Sequence, residues 1–432
     1  MELLQGAVRH YVWGSRTAIA ELLGAPVPAP HPQAELWLGA HPADPSMLLG
    51  RDGARTSLLA ALQQDPEREL GAGCLRRWGH RLPFLLKVLA ADESLSLQAH
   101  PSAQQAAEGF AREEALGIAR GAPERNYPDP HHKPELVCAL TEFHALAGFR
   151  EVGRTVELLT ALNVPQLAPY RELLAGQPDA DGLRALFTTW ITLPQPAIDA
   201  LLPPLLDGCI GLLQAPGPFA PECRTVLQLA EVHPRDAGVL ASALLNHIVL
   251  APGEALYLPA GKLHAYLRGT AVEIMANSDN VLRGGLTPKH VDVPELLRVL
   301  DFAHGDLPVQ RGRQGWPRET AYDAPAPEFA LSRLDWPAGD LASVRLAGCG
   351  PQILLCTAGT ADVRTDDGGV LPLARGTSVW LAAADRDVAV GPRAGPVQLF
   401  RASLGPRGDQ PVGSLRPRRP ASVTAVRGPT VR

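Results

Sequence analysis

The chain has 432 residues, 46% of them hydrophobic, which is material for a full core and two or three domains at roughly 150 residues each. A formal net charge of -5 speaks against nucleic acid as the partner, because neutralising a phosphate backbone needs clustered Lys and Arg. The six cysteines are scattered and form no CxxC pair, so neither a zinc ribbon nor a disulfide framework is indicated.

The first residues, MELLQGAVRHYVWGS, lack the layout of a secretory leader, and no long uncharged apolar run suggests a membrane span. A soluble, reducing, cytoplasmic home is expected. Residues 1–150 carry short apolar runs, LPFLLKVLA and ELVCAL among them, that read as strands separated by turns. ESLSLQAHPS alternates: Ser96, Gln98 and His100 share one face of a strand, Leu95, Leu97 and Ala99 the other. That polar face either meets water or lines a cavity, and spacing alone leaves both open. AQQAAEGFAREEALGIAR (Ala103–Arg120) predicts a helix.

From Val152 to His247 apolar residues recur at i, i+3, i+4, broken by Pro and Gly, which predicts a compact helical insert. Strand character returns at Ile248–Met275. A Pro-rich linker is expected near Gly315–Glu328, and short strands again over 329–404. LAPGEALYLPAG (Leu250–Gly261) and LARGTSVWLAAA (Leu373–Ala384) place a Gly, a short apolar strand and a small-residue turn in the same order, a weak internal repeat of one hairpin element. His264 follows the first copy and no His follows the second, so the second reads as a β module without a metal site. The tail from Gly405 is rich in Arg, Pro and Gly and is expected to be disordered.

Four segments concentrate polar residues: SLQAHP, DPHHKPEL, LPAGKLHAYLRGTAVEIMANSDN and VLRGGLTPKH. His100, Glu135 and His264 supply two imidazoles and a carboxylate, a donor set suited to zinc, and Gln98 could add an amide oxygen. Spacing cannot bring these segments together, and a lone His is more often a surface or satisfied core residue.

LPFLLKVLAADESLSLQAHPS, YPDPHHKPEL and LPAGKLHAYLRGTAVEIMANSDNVLRGGLTPKHVDVPELLRVL, with YVWGS and AELWLGAHPADPS, resemble the type I mannose-6-phosphate isomerases. The resemblance covers residues 1–150 and 245–302 well and the rest loosely. It implies a mainly β fold with a helical insert: a cupin-like β-barrel (jelly roll) domain and a second, degenerate cupin-like β domain. The expected division is 1–150 with 245–325 for the catalytic domain and 151–244 for the insert. Residues 326–405 would form the C-terminal β domain and 406–432 a basic tail. Carried over, the ligands of one Zn2+ per chain fall on Gln98, His100, Glu135 and His264, and the active-site arginine on Arg283. The polar face of ESLSLQAHPS would then point into the barrel. Departures at His131, Asn277 and Gly284, and Gly-Lys in GKLHAY, remove no ligand.

The implied reaction interconverts D-mannose 6-phosphate and D-fructose 6-phosphate through a cis-enediol. It needs a base, a stabiliser of developing negative charge, a role that falls to Arg283 and the zinc, and a phosphate anchor. Glu273, if its pKa is raised, and Lys133, if lowered, are the candidate bases. Lys289 and Lys87, with Ser96 as a hydroxyl donor, are the candidate phosphate anchors. Trp13 and Trp37 read as core aromatics. The expected partner is a small sugar phosphate, with no nucleic acid, no membrane and a monomeric chain. Two competing readings are an iron-dependent cupin oxygenase, disfavoured by Gln98 and the phosphate-suited cations, and a sugar-phosphate sensor, disfavoured because Arg283 and every ligand are present.

Overall fold

The computed structural model describes residues 1–50, 53–346 and 350–405; the expected basic tail lies outside the described residues. Its strands form two eleven-stranded antiparallel sheets. The first is built around the 13-residue strand His264–Ala276, whose start pairs with Phe143–Phe149 and Leu97–Ala99 and whose end pairs with Glu135–Ala139 and Phe84–Ala91. One long strand thus joins two groups of neighbours. Phe84–Ala91 (FLLKVLAA) is buried at every position, as expected of a strand covered on both faces.

The helical periodicity of the middle third is realised by consecutive helices from Val152 to Ser242, after which Leu245–Leu250 returns to the first sheet. These helices share one apolar cluster with the strands. Trp190, Leu186 and Leu240, all fully buried, belong with Leu97, Leu263 and Leu282. Removing a large apolar side chain from water stabilises by about 1.5–3 kcal/mol each, so these helices are held firmly against the strands that carry the polar motifs. The helix expected over Ala103–Arg120 runs from Ala103 to Ala115. A capping box, in which Ser102 and Gln105 satisfy each other's backbone N–H, starts it two residues after His100.

The second sheet holds the strands of the C-terminal region, yet it also takes Glu2–Gln5, Met47–Leu49 and Arg55–Ser57. Residues 1–150 therefore contribute to both sheets, unlike the single block expected. Two further expectations need correction. Leu58–Gln64 and Pro66–Trp78 are helices in a region read as strands and turns; Ser57 and Asp65 cap them with their side chains. The stretch read as a linker contains the hairpin Arg313–Trp316 and Glu319–Tyr322, which extends the second sheet by pairing with Ala330–Trp336. The internal repeat has a structural counterpart. Gly253 (φ +87°) and Gly376 (φ +82°) open the strands Ala255–Leu258 and Ser378–Leu381, one in each sheet, in a conformation only glycine adopts freely. None of the described helices is long and apolar enough to cross a membrane.

Candidate metal centre and active site

The strand Leu97–Ala99 is only three residues long, but it lies between two others. Gln98 is directly opposite His264 on one side and Arg283 on the other. Directly opposed residues in antiparallel strands project to the same face, so Gln98, His264 and Arg283 form one row. Leu97 and Ala99 are fully buried on the reverse face, in the cluster shared with the helices. The alternation in ESLSLQAHPS therefore serves two interiors: apolar toward the insert, polar toward a lined site.

His100 and Glu135 complete that site. His100 Nε2 lies 3.3 Å from Glu135 Oε1, and His264 Nε2 lies 3.4 Å from Glu135 Oε2. All three residues are at most 2% exposed, and their donor atoms lie within 4.8 Å of one another. Each imidazole is held by its other nitrogen: His100 Nδ1 is 2.8 Å from the Asn280 carbonyl and His264 Nδ1 is 2.9 Å from the Lys262 carbonyl. A carbonyl only accepts, so Nδ1 carries the proton and Nε2 presents a bare lone pair. His100 Nε2, Glu135 Oε2 and His264 Nε2 accordingly have no hydrogen-bond partner. Three buried lone pairs facing one another are costly unless a cation lies between them. Burial and Lys133 push the His100 imidazole down to about 4, which keeps it neutral and able to bind a metal. Burial opposes charge on Glu135, but the neighbouring cation Lys133 holds the carboxyl well below its usual range. The donor set fits a divalent metal of the zinc type.

Lys133 Nζ sits 3.0 Å from Glu135 Oε1 and keeps 12% of its side chain exposed, so it borders both the metal centre and the open side. Its loop is clamped to the segment after His264–Ala276. Ser278 Oγ donates to Asp129, Asp279 N donates to Asp129 Oδ2 at 2.8 Å, and Asn280 Nδ2 donates to the carbonyls of Asp129 and His131. The motifs DPHHKPEL and MANSDN, far apart in sequence, thus form one wall. From the stretch read as a linker, Glu328 reaches the same loop, 2.8 Å from His132 Nε2.

Glu273 is 2% exposed and enclosed. It accepts a 2.9 Å hydrogen bond from the Tyr266 hydroxyl and lies 3.5 Å from Lys87 Nζ. Burial and Glu135 raise its carboxyl to about 7. Lys87 is not brought to the other cations. It is buried between Glu273 and Glu35, the latter at 3.6 Å. Burial works against its charge, but the two carboxylates win and raise its pKa. Neither Arg283 nor Lys289, by contrast, has an ion-pair partner among the described residues. Burial lowers Arg283, and burial together with Arg283 lowers Lys289. Cations without an ion-pair partner attract an anion. Ser96 is half-buried just before the Leu97–Ala99 strand.

Several residues escaped the sequence reading. Glu35 binds Trp37 Nε1 at 2.5 Å and holds Lys87; Trp37 is buried, yet its indole is part of this polar network. His41, 3% exposed, stacks edge-on against Trp37 and lies 3.2 Å from Asp279 at the rim. The only available signal was a charged or polar residue inside an apolar or Gly-Pro-rich run, as in AELWLGAHP, and that pattern is common.

A family model described as the phosphomannose isomerase type I catalytic domain matches residues 1–152. Mannose-6-phosphate isomerase of Escherichia coli K12 is 39% identical over 398 residues, spanning 90% of this chain and 97% of that protein. The Mus musculus mannose-6-phosphate isomerase is 33% identical, over 88% and 94%. Among solved structures, a variant of phosphomannose isomerase from Salmonella typhimurium superposes with a TM-score of 0.84 at 36% identity, covering 94% of this chain and 99% of that one. A zinc-bound mannose 6-phosphate isomerase superposes with a TM-score of 0.83 at 36% identity, over 93% and 99%. Similarity over nearly the whole length, on a fold that gathers the conspicuous polar motifs into one lined site, makes this chain an isomerase of the type I phosphomannose isomerase family.

Proposed function

We propose that this site interconverts mannose 6-phosphate and fructose 6-phosphate through a cis-enediol, with one zinc ion held by Gln98, His100, Glu135 and His264. The observation that carries the reading is the convergence of three buried, unpartnered lone pairs beside a partly exposed lysine and two unpaired cations. When bound, zinc supplies a Lewis acid for the sugar oxygens at the reacting end.

Lys133 is placed to move the proton. In the aldose-to-ketose direction its neutral amine takes the C2 proton of the open-chain sugar while O1 gains one; the ammonium so formed then returns a proton to C1 while O2 loses one. Its partial exposure favours it over Glu273, which is enclosed by Lys87 and Tyr266. Glu273 acts from behind the site as the carboxyl whose charge sets the local field. Lys87 stabilises that charge rather than anchoring phosphate. Arg283 and Lys289 hold the phosphate, with Ser96 as a hydroxyl donor, and Arg283 also lies near the reacting end through its place opposite Gln98.

We place this site in a cupin-like barrel (1–150 with 245–325) carrying a helical insert (151–244), beside a metal-free cupin-like β domain (326–405) whose sheet also takes Glu2–Gln5, Met47–Leu49, Arg55–Ser57 and the hairpin at 313–322. The long strand His264–Ala276 shared by two groups of neighbours and the paired glycine-opened strands support that reading. A cytoplasmic monomer fits it, and sedimentation would test the monomer.

The test of function is a coupled assay of fructose 6-phosphate formation, before and after chelation and with zinc restored. Turnover lost to chelator and regained with zinc is expected. A zinc-loaded protein without turnover would sink the proposal.

A further inference from the structure

The chain between Arg283 and Lys289, RGGLTPK, takes an unusual path. Gly285 (φ +120°) and Leu286 (φ +55°) are consecutive residues in the left-handed region. Glycine accepts that conformation freely, but a leucine does not, and Leu286 is 2% exposed. Something must hold it there. Asp236, at the return of the helical insert, does so. Its Oδ1 accepts from Gly238 N at 2.7 Å and its Oδ2 accepts from Thr287 N at 3.2 Å. Thr287 Oγ1 in turn accepts from Lys289 N at 3.2 Å. The fit is close. A Cβ on Gly285 would lie 2.8 Å from Gly238 Cα and 2.9 Å from Asp236 Oδ1, and a Cβ on Gly238 would lie 2.8 Å from Leu286 N. Asp236 itself is fixed from outside: the neighbouring Arg235 pairs with Asp199 through two hydrogen bonds, and Gln195 donates to the Arg235 carbonyl.

We propose that Asp236 is a positioning residue for the phosphate end of the substrate: it clips the Gly285–Thr287 turn so that Arg283 and Lys289 stay side by side as one anchor. This rests on the reading that those two cations take the phosphate. It also gives the helical insert a role in the isomerase, since the carboxylate that shapes the anchor comes from the insert. Asp236 touches neither substrate nor metal and acts through backbone groups alone.

Asp236→Asn tests this, because asparagine still caps the following helix but sets an amide N–H against one of the two N–H donors. The zinc-loaded variant is expected to show KM for mannose 6-phosphate raised about tenfold, kcat within about twofold and inhibition by inorganic phosphate weakened about tenfold, the loss expected when one well-placed hydrogen bond is removed. Gly238→Ala, which pushes on Leu286 N from the other side, should move KM and phosphate inhibition the same way, and it carries the test if the first variant does not fold. Arg283→Ala and Lys289→Ala are measured in parallel. If these two raise KM and weaken phosphate inhibition while Asp236→Asn and Gly238→Ala leave both unchanged, the inference on Asp236 is overturned and the phosphate reading stands. If neither cation variant alters phosphate inhibition, the phosphate reading falls and this inference falls with it. A drop in kcat accompanied by zinc loss in Asp236→Asn would mark a merely structural role and would also overturn it.

Discussion

One buried cluster in each sheet holds its charged and polar side chains in the opposite way. In the second sheet they satisfy one another: Arg401 donates to Gln352 at 2.7 Å and to Glu319 at 3.0 Å, and Ser332 donates to Glu319 at 2.5 Å. In the first, His100, Glu135 and His264 converge and leave three atoms without partners. Both copies of the repeated hairpin element share the glycine and the strand. Only the first is followed by a histidine whose lone pair is left bare. A satisfied buried network holds a fold together, whereas a converging unsatisfied one is built for something that arrives later.

The comparison is broken most severely by His264→Ala. Losing a ligand forfeits the metal's several kcal/mol of transition-state stabilisation, so kcat/KM should fall roughly 10^4-fold, with bound zinc lost in parallel by metal analysis. The second sheet should answer differently. Arg401→Met leaves Glu319 buried and unpaired, and urea unfolding should show about 3–5 kcal/mol of lost stability. Activity per folded, zinc-loaded molecule should stay as it was; a matching fall in kcat would put that network in the chemistry. Lys133→Met should retain zinc yet lower kcat about 10^2-fold or more, the loss typical of a missing proton-transfer group.

The smallest effects concern pH. Glu273 titrates near 7 because burial and Glu135 disfavour its charge, and Lys87 is the main group opposing them. If its ionised form is needed, kcat/KM rises through about pH 7. Lys87→Met then moves that limb to higher pH, and Glu35→Gln, which removes a negative neighbour, moves it lower. Stability carries the same sign. A carboxyl raised from 4.5 to about 7 on folding contributes stability that is complete below pH 4.5 and lost as pH rises through 7. Glu273→Gln should therefore gain stability relative to the parent protein across that interval in denaturant titrations, and a constant difference would contradict the buried, titrating carboxyl.

What could be read from residues alone follows the same division. His100, Glu135 and His264, which converge in the structure, stand in long ordered motifs that the sequence displays, as do Gln98 and Arg283, and alternation put Gln98 and His100 on one face. The helices of 152–242 announced themselves by period. At Lys87, FLLKVL shows an inward lysine but not the two carboxylates from distant strands that meet it. The clip by Asp236 was invisible: HPRDAG looks like any helix start, and its second partner, Thr287, lies 51 residues on. The hairpin at 313–322 was hidden by the prolines around it, since its partner strand Ala330–Trp336 comes later in the chain.

The measurement that bears most directly on the metal centre is an X-ray absorption spectrum at the zinc edge of the active, zinc-loaded protein, with His264→Ala alongside. Two imidazoles and the remaining positions filled by oxygen at about 2.0–2.2 Å are expected, with one imidazole missing or no zinc retained in the variant. A sulfur shell near 2.3 Å, or an unchanged spectrum in His264→Ala, would place the metal elsewhere and contradict the site described above.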